Sequence, residues 1–175
     1  MLKIAITGPE STGKTTLAKE LSEYYHTAFV PEYARIYLDS LNRNYSEEDL
    51  IIIAQGQIAL EIETCKNVNN LLIADTEMTV IKIWNEFVFH RCHPQITEFY
   101  RQQYYDLYLL MDIDLPWHPD PLREHPYHRE ELYRLYCREL VQKKVNFITI
   151  SGSAKSRLEN AIQAIENLKI PKNSI

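Results

Sequence analysis

The sequence predicts a three-layer α/β domain on a mostly parallel five-stranded sheet, and two features predict it. Five short apolar runs, Leu2–Thr7, 28–30, 71–74, Leu107–Met111 and Phe147–Ile150, alternate with longer stretches of helical character. Runs of this kind suit strands covered on both faces, and their alternation with helices is the signature of βαβ units. The second feature is Gly8-Pro9-Glu10-Ser11-Thr12-Gly13-Lys14-Thr15, a G-x-x-x-x-G-K-T loop between the first strand and the first helix. That is the setting in which this pattern binds phosphate.

In chain order, the first strand feeds the loop, and the helix after it carries Leu17 and Leu21 four residues apart on one face. Ser46 and Asp49 have capping-box spacing and open a long helix through Ile51, Ala54, Ile58 and Ile62. The third strand ends in Asp75, and the fourth leads into 112–128, a stretch rich in Pro, His, Asp and Arg without helical period. It is too long for a tight connection and is expected to form a lid. A last helix is expected over 154–168. In such a sheet ligands gather beyond the carboxyl ends of the strands, so the residues after each strand are the candidates for function.

Composition narrows the partners. The chain has 175 residues, 45% hydrophobic and 25% charged, which fits a single domain over 1–175. No apolar run reaches the length of a membrane span, and the N-terminus lacks a signal-peptide pattern, so a cytoplasmic protein without a membrane partner is expected. The net charge of −5 opposes broad attraction to nucleic acid. Cys65, Cys92 and Cys137 are far apart and are expected to be free packing thiols.

The phosphate-binding loop, or P-loop, gives each residue a task. Gly8 and Gly13 let amide N–H groups approach phosphate oxygens, across Pro9, Glu10, Ser11 and Thr12. The following helix presents its N-terminal dipole to the same anion. Lys14 supplies a mobile positive charge for the β and γ phosphates of ATP, Thr15 a hydroxyl for Mg²⁺, and Thr16 a second hydroxyl nearby. The fold expected is that of a P-loop NTPase of the nucleoside- and nucleotide-kinase type.

Leu71-Leu72-Ile73-Ala74-Asp75 has the pattern of a strand whose terminal carboxylate holds Mg²⁺, although a strand followed by Asp is also an ordinary turn signal. In the lid, Arg123 is expected to reach the transferring phosphoryl group, with Arg129 as a second candidate. Arg134 and Arg138 read instead as a solvated face paired with Glu130, Glu131 and Glu139. His90 and His93 could share a helical face with Cys92 adjacent, but a further ligand at familiar spacing is missing and no zinc site is expected.

From the P-loop onward the chain resembles the NadR-type ribosylnicotinamide kinase family of P-loop ATPases. The resemblance rests on Gly-Pro-Glu-Ser-Thr-Gly-Lys at 8–14, Pro-Glu-Tyr-Ala-Arg at 31–35, Gln55 with Gln57, Asp-Thr-Glu at 75–77, Asp-Leu-Tyr-Leu at 106–109, and Asp-Leu-Pro-Trp at 114–117 followed by Asp120 and Arg123. It implies transfer of the γ-phosphoryl group of ATP to the 5′-hydroxyl of nicotinamide riboside. It also places Glu32 and Arg35 in the acceptor pocket, with Asp120 on the same side. Glu32 follows the second strand, where its carboxylate could accept the hydroxyl proton or hold ribose hydroxyls. The structural alternative is an exposed Glu32–Arg35 ion pair at i,i+3. One of Tyr33, Trp84 and Trp117 is expected to stack on the cationic pyridinium.

The chain departs from the family where Asp75-Thr76-Glu77 replaces Asp-Thr-Asp, and where Asp120-Pro121-Leu122-Arg123 replaces Asp-Gly-Leu-Arg. The proline is expected to stiffen the lid. No nucleotidyltransferase domain or DNA-binding segment is expected, so neither second activity carries over. A GTPase switch fits poorly, because Asp75 is followed by Thr76-Glu77-Met78 rather than a glycine, and no Asn-Lys-x-Asp follows 107–111. Gly152 and Ser153 are expected to line an adenine pocket instead. Two alternatives stand beside the riboside kinase: an ATP-binding regulatory or sensor protein, and a small kinase acting on another coenzyme precursor.

Overall fold

The computed structural model describes residues 1–169; positions 170–175 of the expected domain lie outside the described residues. The elements in chain order are β1 (Leu2–Thr7), α1 (Lys14–Tyr24), β2 (Phe29–Val30), α2 (Tyr33–Asp39), α3 (Glu47–Cys65), β3 (Leu71–Asp75), α4 (Met78–Phe89), α5 (Pro94–Gln102), β4 (Leu107–Met111), α6 (Arg129–Lys143), β5 (Phe147–Ile150) and α7 (Ala154–Lys169). The strands form one sheet in the order β2-β3-β1-β4-β5. Every pairing is parallel, with Ile4 opposite Ile73 on one side of β1 and opposite Leu107 on the other.

Alternation along the strands divides the core. Ile4 and Ile6 of β1, with Ile73 and Leu109, pack against Leu17 and Leu21 of α1 and Ile165 of α7. Ala5, Leu72, Ala74, Tyr108 and Leu110 face the other way, onto Ile83 of α4 and Leu132, Tyr136 and Leu140 of α6. This is the period-2 pleat of strands covered on both faces, and all five residues of β3 and of β4 are buried. A third cluster, including Leu50, Ile53, Met78, Ile81 and Ile96, joins α3, α4 and α5 beside the sheet. Among the described residues no helix is long and apolar enough to cross a membrane.

Local chemistry sets the helix starts. At α3 the Ser46 N–H donates to Asp49 Oδ2 at 2.7 Å, completing the capping box. At α4 the N-cap is Glu77, whose side chain accepts the Thr79 N–H. At α5 His93 caps by accepting the Gln95 N–H, and Pro94 occupies the first turn, where its missing N–H has no consequence. His90 meanwhile closes α4 in the left-handed region at φ 56°. Because the sheet is parallel, the carboxyl ends of β1, β3 and β4 lie at one edge. The P-loop, Asp75 and the segment 112–128 are thereby gathered together.

Candidate active site

The P-loop is tightly seated. Gly8 has φ 130°, and a Cβ there would lie 3.0 Å from the Met111 carbonyl oxygen at the end of β4, so only glycine fits both the turn and the approach. The Lys14 ammonium donates to the carbonyls of Gly8 at 2.9 Å and Pro9 at 2.8 Å, which curls its charge back over the loop. Thr12 Oγ1 donates to the Pro9 carbonyl at 2.8 Å. Arg157, only 3% exposed, locks the loop from behind. It donates to the carbonyl oxygens of Thr12 and Gly152, each at 2.8 Å, and forms an ion pair with Asp114.

Asp75 is 1% exposed, and neither carboxylate oxygen has a hydrogen-bond partner among the described residues. Burial pushes its pKa up to about 6; the Thr15 hydroxyl and the charges of Lys14 and Arg35 pull it down, while the Glu32 carboxylate adds to the rise. An ionised carboxylate so buried is costly unless it meets a cation. Two unpartnered hard oxygens beside the Thr15 hydroxyl are the donor set that Mg²⁺ takes, so Thr15 and Asp75 fit the metal assigned to them.

A strained turn follows. Thr76 holds φ 80°, unusual for a β-branched residue, and its hydroxyl is buried without a partner among the described residues. Its N–H donates to the Ile6 carbonyl at 3.1 Å, and its carbonyl accepts from Gln57 Nε2 at 3.3 Å. Gln57 also accepts the Tyr33 N–H at 2.8 Å, tying the turn after β3 to the turn that carries Glu32. Glu77, fully buried, accepts from Thr7 Oγ1 at 2.9 Å and from the Thr79 hydroxyl and N–H at 2.8 and 2.7 Å.

The segment 112–128 runs as turns and irregular backbone and folds onto the P-loop. The Glu10 carboxylate accepts the N–H groups of Glu124 at 3.2 Å and His125 at 3.4 Å. Burial raises its pKa, and these two amides counter the rise. Ser11 Oγ accepts the His118 N–H at 2.9 Å and lies 3.4 Å from an Arg123 guanidinium nitrogen. Arg129 donates to the carbonyls of Leu115 at 2.9 Å and Ser11 at 3.2 Å, its charge opposed by burial. On the far side of the segment, Asp120 pairs with Arg35 at 3.2 Å, and Glu124 accepts from the Tyr45 hydroxyl at 2.6 Å. Tyr45 in turn accepts from Trp84 Nε1 at 3.1 Å.

A cavity of about 360 Å³ opens between these parts. It brings together the P-loop residues 8–16, Glu32, Arg35, Trp84 and Arg123, while Leu38, Val80, Ile83 and Phe87 give it an apolar wall. Other expected site residues lie outside its lining. Asp75 is buried, and Asp120 is held by Arg35. The Tyr33 ring fills the notch over Gly56, where an added Cβ would meet it at 2.1 Å. Trp117 lies beside the Arg129 guanidinium at 5.9 Å. Gly152 donates its N–H to Asp114 at 2.5 Å, and the Ser153 hydroxyl lies 3.1 Å from that of Ser156. Arg134 pairs with Glu130 at 3.3 Å with both side chains exposed, as a solvated face should, but Glu139 departs from that expectation: it is buried and pairs with Lys82 at 2.9 Å. Sequence reasoning missed Arg157, Tyr45 and the capping role of Glu77. A lone Arg inside a helical stretch carries no signal, and neither does Glu77, because Glu is not among the residues ordinarily preferred at an N-cap.

Comparison with known proteins agrees with this geometry. A family model described as AAA domain matches residues 3–157. The trifunctional NAD biosynthesis/regulator protein NadR of Escherichia coli (strain K12) is 27% identical over 155 residues, covering 84% of this chain and 37% of its own length. A crystal structure of NadR protein in complex with NR superposes with a TM-score of 0.82 at 19% identity, covering 99% of this chain and 52% of that one. Thymidylate kinase from Ehrlichia chaffeensis shares the fold with a TM-score of 0.68 at 14% identity, covering 94% of this chain and 98% of its own. The chain therefore spans little more than a third of the curated relative and about half of the NadR structure. With the P-loop, the parallel sheet and the matched residues in agreement, the chain belongs to the AAA domain family, as an α/β P-loop protein similar to NadR.

Proposed function

We propose that the protein is a Mg²⁺-dependent kinase that transfers the γ-phosphoryl group of ATP to the 5′-hydroxyl of a nucleoside-like acceptor, nicotinamide riboside, giving nicotinamide mononucleotide. One observation carries this reading: a single cavity joins the P-loop, including Lys14, to the carboxylate of Glu32, the guanidinium groups of Arg35 and Arg123, and the indole of Trp84. A phosphate cradle opening onto a carboxylate and an aromatic ring suits phosphoryl transfer to a small hydroxyl-bearing ring compound better than it suits a nucleotide switch. The resemblance to NadR, one structure of which is in complex with NR, supplies the acceptor.

Lys14 and the loop amides bind the phosphates and neutralise charge that grows in the transition state. Thr15 and Asp75 would hold Mg²⁺, which supplies charge neutralisation to the phosphates when bound. Glu32 orients the acceptor hydroxyl and takes its proton, Arg35 stands beside it, and Arg123 approaches the phosphates from the lid. Trp84 is the one of the three candidate aromatics that lines the cavity, so it is the ring assigned to the pyridinium face, a contact worth about 0.5 to 2 kcal/mol. Gly152 and Ser153 remain assigned to the adenine side.

The test is to incubate the protein with ATP, Mg²⁺ and either nicotinamide riboside or a panel of neutral nucleosides, and to follow phosphorylated product. Nicotinamide riboside should turn over fastest, and Lys14→Ala should slow it on the order of a hundredfold or more. Faster turnover of a neutral nucleoside would reassign the acceptor. Tight ATP binding with no acceptor-dependent release of ADP would point to a sensor.

A further inference from the structure

Phe87 and His125 each line two cavities. On one side is the 360 Å³ site just described; on the other is a wider, more open cavity of about 960 Å³ that reaches the surface past Lys82, Arg91 and Arg138. The two rings meet edge to face with centroids 4.9 Å apart, and His128 closes on Phe87 in the same manner at 5.4 Å. Phe87 belongs to the last turn of α4, one turn beyond Ile83 and Trp84, while His125 ends the stretch of lid whose amides are held by Glu10. One half of the contact is thus fixed to the scaffold and the other arrives with the lid. His125 Nε2 is buried without a hydrogen-bond partner among the described residues and lies 3.9 Å from a Glu124 carboxylate oxygen, so the imidazole is held chiefly by its ring contacts with Phe87 and His128.

We propose that the Phe87–His125 pair is the partition that sets the depth of the acceptor cavity and therefore the size of base the site takes. The class admitted is a riboside with a compact base, and bulkier bases are excluded because their extra ring would have to occupy the space of Phe87. This inference rests on the riboside-kinase reading and adds the residues that determine its selectivity. The physical argument is one of continuity. Beyond these rings lies the open surface cavity, so shortening either ring joins the site to that space without displacing packed core. At most positions of an acceptor wall, truncation would leave a closed void with no gain in reach.

The experiment compares kcat/KM for nicotinamide riboside with that for pyridinium ribosides phenylated at different ring positions, in wild type, Phe87→Ala, Phe87→Leu and His125→Ala. At least one phenylated acceptor should gain on the order of tenfold relative to nicotinamide riboside in Phe87→Ala, and less in Phe87→Leu. A ring pair that merely docked the lid would lower all acceptors by one factor and leave the ratio flat. Ratios that move by less than about twofold in every variant that still melts cooperatively overturn the partition. Should Phe87→Ala not fold, Phe87→Leu and His125→Ala decide the matter. A wild-type protein that phosphorylates no riboside removes the functional reading and the partition together, whereas riboside turnover with flat ratios removes the partition alone.

Discussion

Asp75 shows how a single side chain can be expensive for the fold and useful for the site. Its carboxyl group is buried and unpartnered, and burial has pushed its pKa up to about 6 from an ordinary value of 3.8. A carboxyl whose pKa is higher in the folded state contributes stability that is fully present below the ordinary value and lost as pH rises through the folded one. In metal-free protein the Asp75 contribution should therefore disappear between about pH 4 and pH 6, and the loss above pH 6 is on the order of 3 kcal/mol. Asp75→Asn keeps the shape and removes the ionisation. In chelator it should melt later than wild type at pH 8, with the difference shrinking towards pH 4, while Mg²⁺-dependent turnover falls sharply. Equal melting differences at the two pH values would mean that the carboxylate is not strained by burial. Opposite signs for stability and turnover at one residue mark a site whose burial is retained for chemistry.

At the scale of elements, α4 forms the apolar wall of the cavity, the acceptor wall on the proposed reading, and Glu77 caps its start. One carboxylate holds the Thr79 N–H and hydroxyl at the start of the helix and the Thr7 hydroxyl at the end of β1, one residue before the P-loop. Glu77→Ala would leave three buried donors without their acceptor and should destabilise the protein by about 3 kcal/mol in chemical denaturation. Because α4 carries Val80, Ile83, Trp84 and Phe87, the KM of the acceptor should rise more than that of ATP. A uniform rise in both would assign Glu77 to stability alone. Much of this frame was legible beforehand. The five strands fall where their apolar runs are, and the Ser46–Asp49 box opens α3 as its spacing requires. The helices α2, α4 and α5 were not read, for physical reasons. At seven residues α2 is too short to display a period, and α4 and α5 are separated only by the turn from His90 to His93. The irregular backbone of 112–128 was readable from its composition, but its partners were not. Arg35 pairs with Asp120 across 85 positions rather than with Glu32 three positions away, a choice that only the closed sheet edge can make.

For the whole molecule, the sheet order places the P-loop after the central strand, residues of α2 and α4 line the cavity that the proposal gives to the acceptor, and the segment after β4 touches both. On the nucleotide side it is held by Glu10 and Ser11; on the acceptor side, by Arg35 through Asp120 and by Tyr45 through Glu124. A connection gripped on both sides makes its closure a shared event, so a ligand that favours closure on one side lowers the ordering cost for a ligand on the other. Such coupling is reciprocal: ATP analogue and riboside should each tighten the binding of the other by the same factor. Asp120→Asn removes the charge from one acceptor-side grip while leaving the P-loop and Trp84 in place. The Arg35–Asp120 pair is partly exposed, which limits its worth. Calorimetric titration of riboside with and without a non-hydrolysable ATP analogue should show the synergy reduced about two- to fivefold in Asp120→Asn, from both directions. The binding of each ligand alone should change less than the synergy does, because the pair acts on closure rather than on either ligand. Synergy that survives Asp120→Asn unchanged, together with weaker riboside binding in the absence of nucleotide, would show that Asp120 positions Arg35 inside the pocket and that the lid's acceptor-side grip lies with Tyr45 and Glu124.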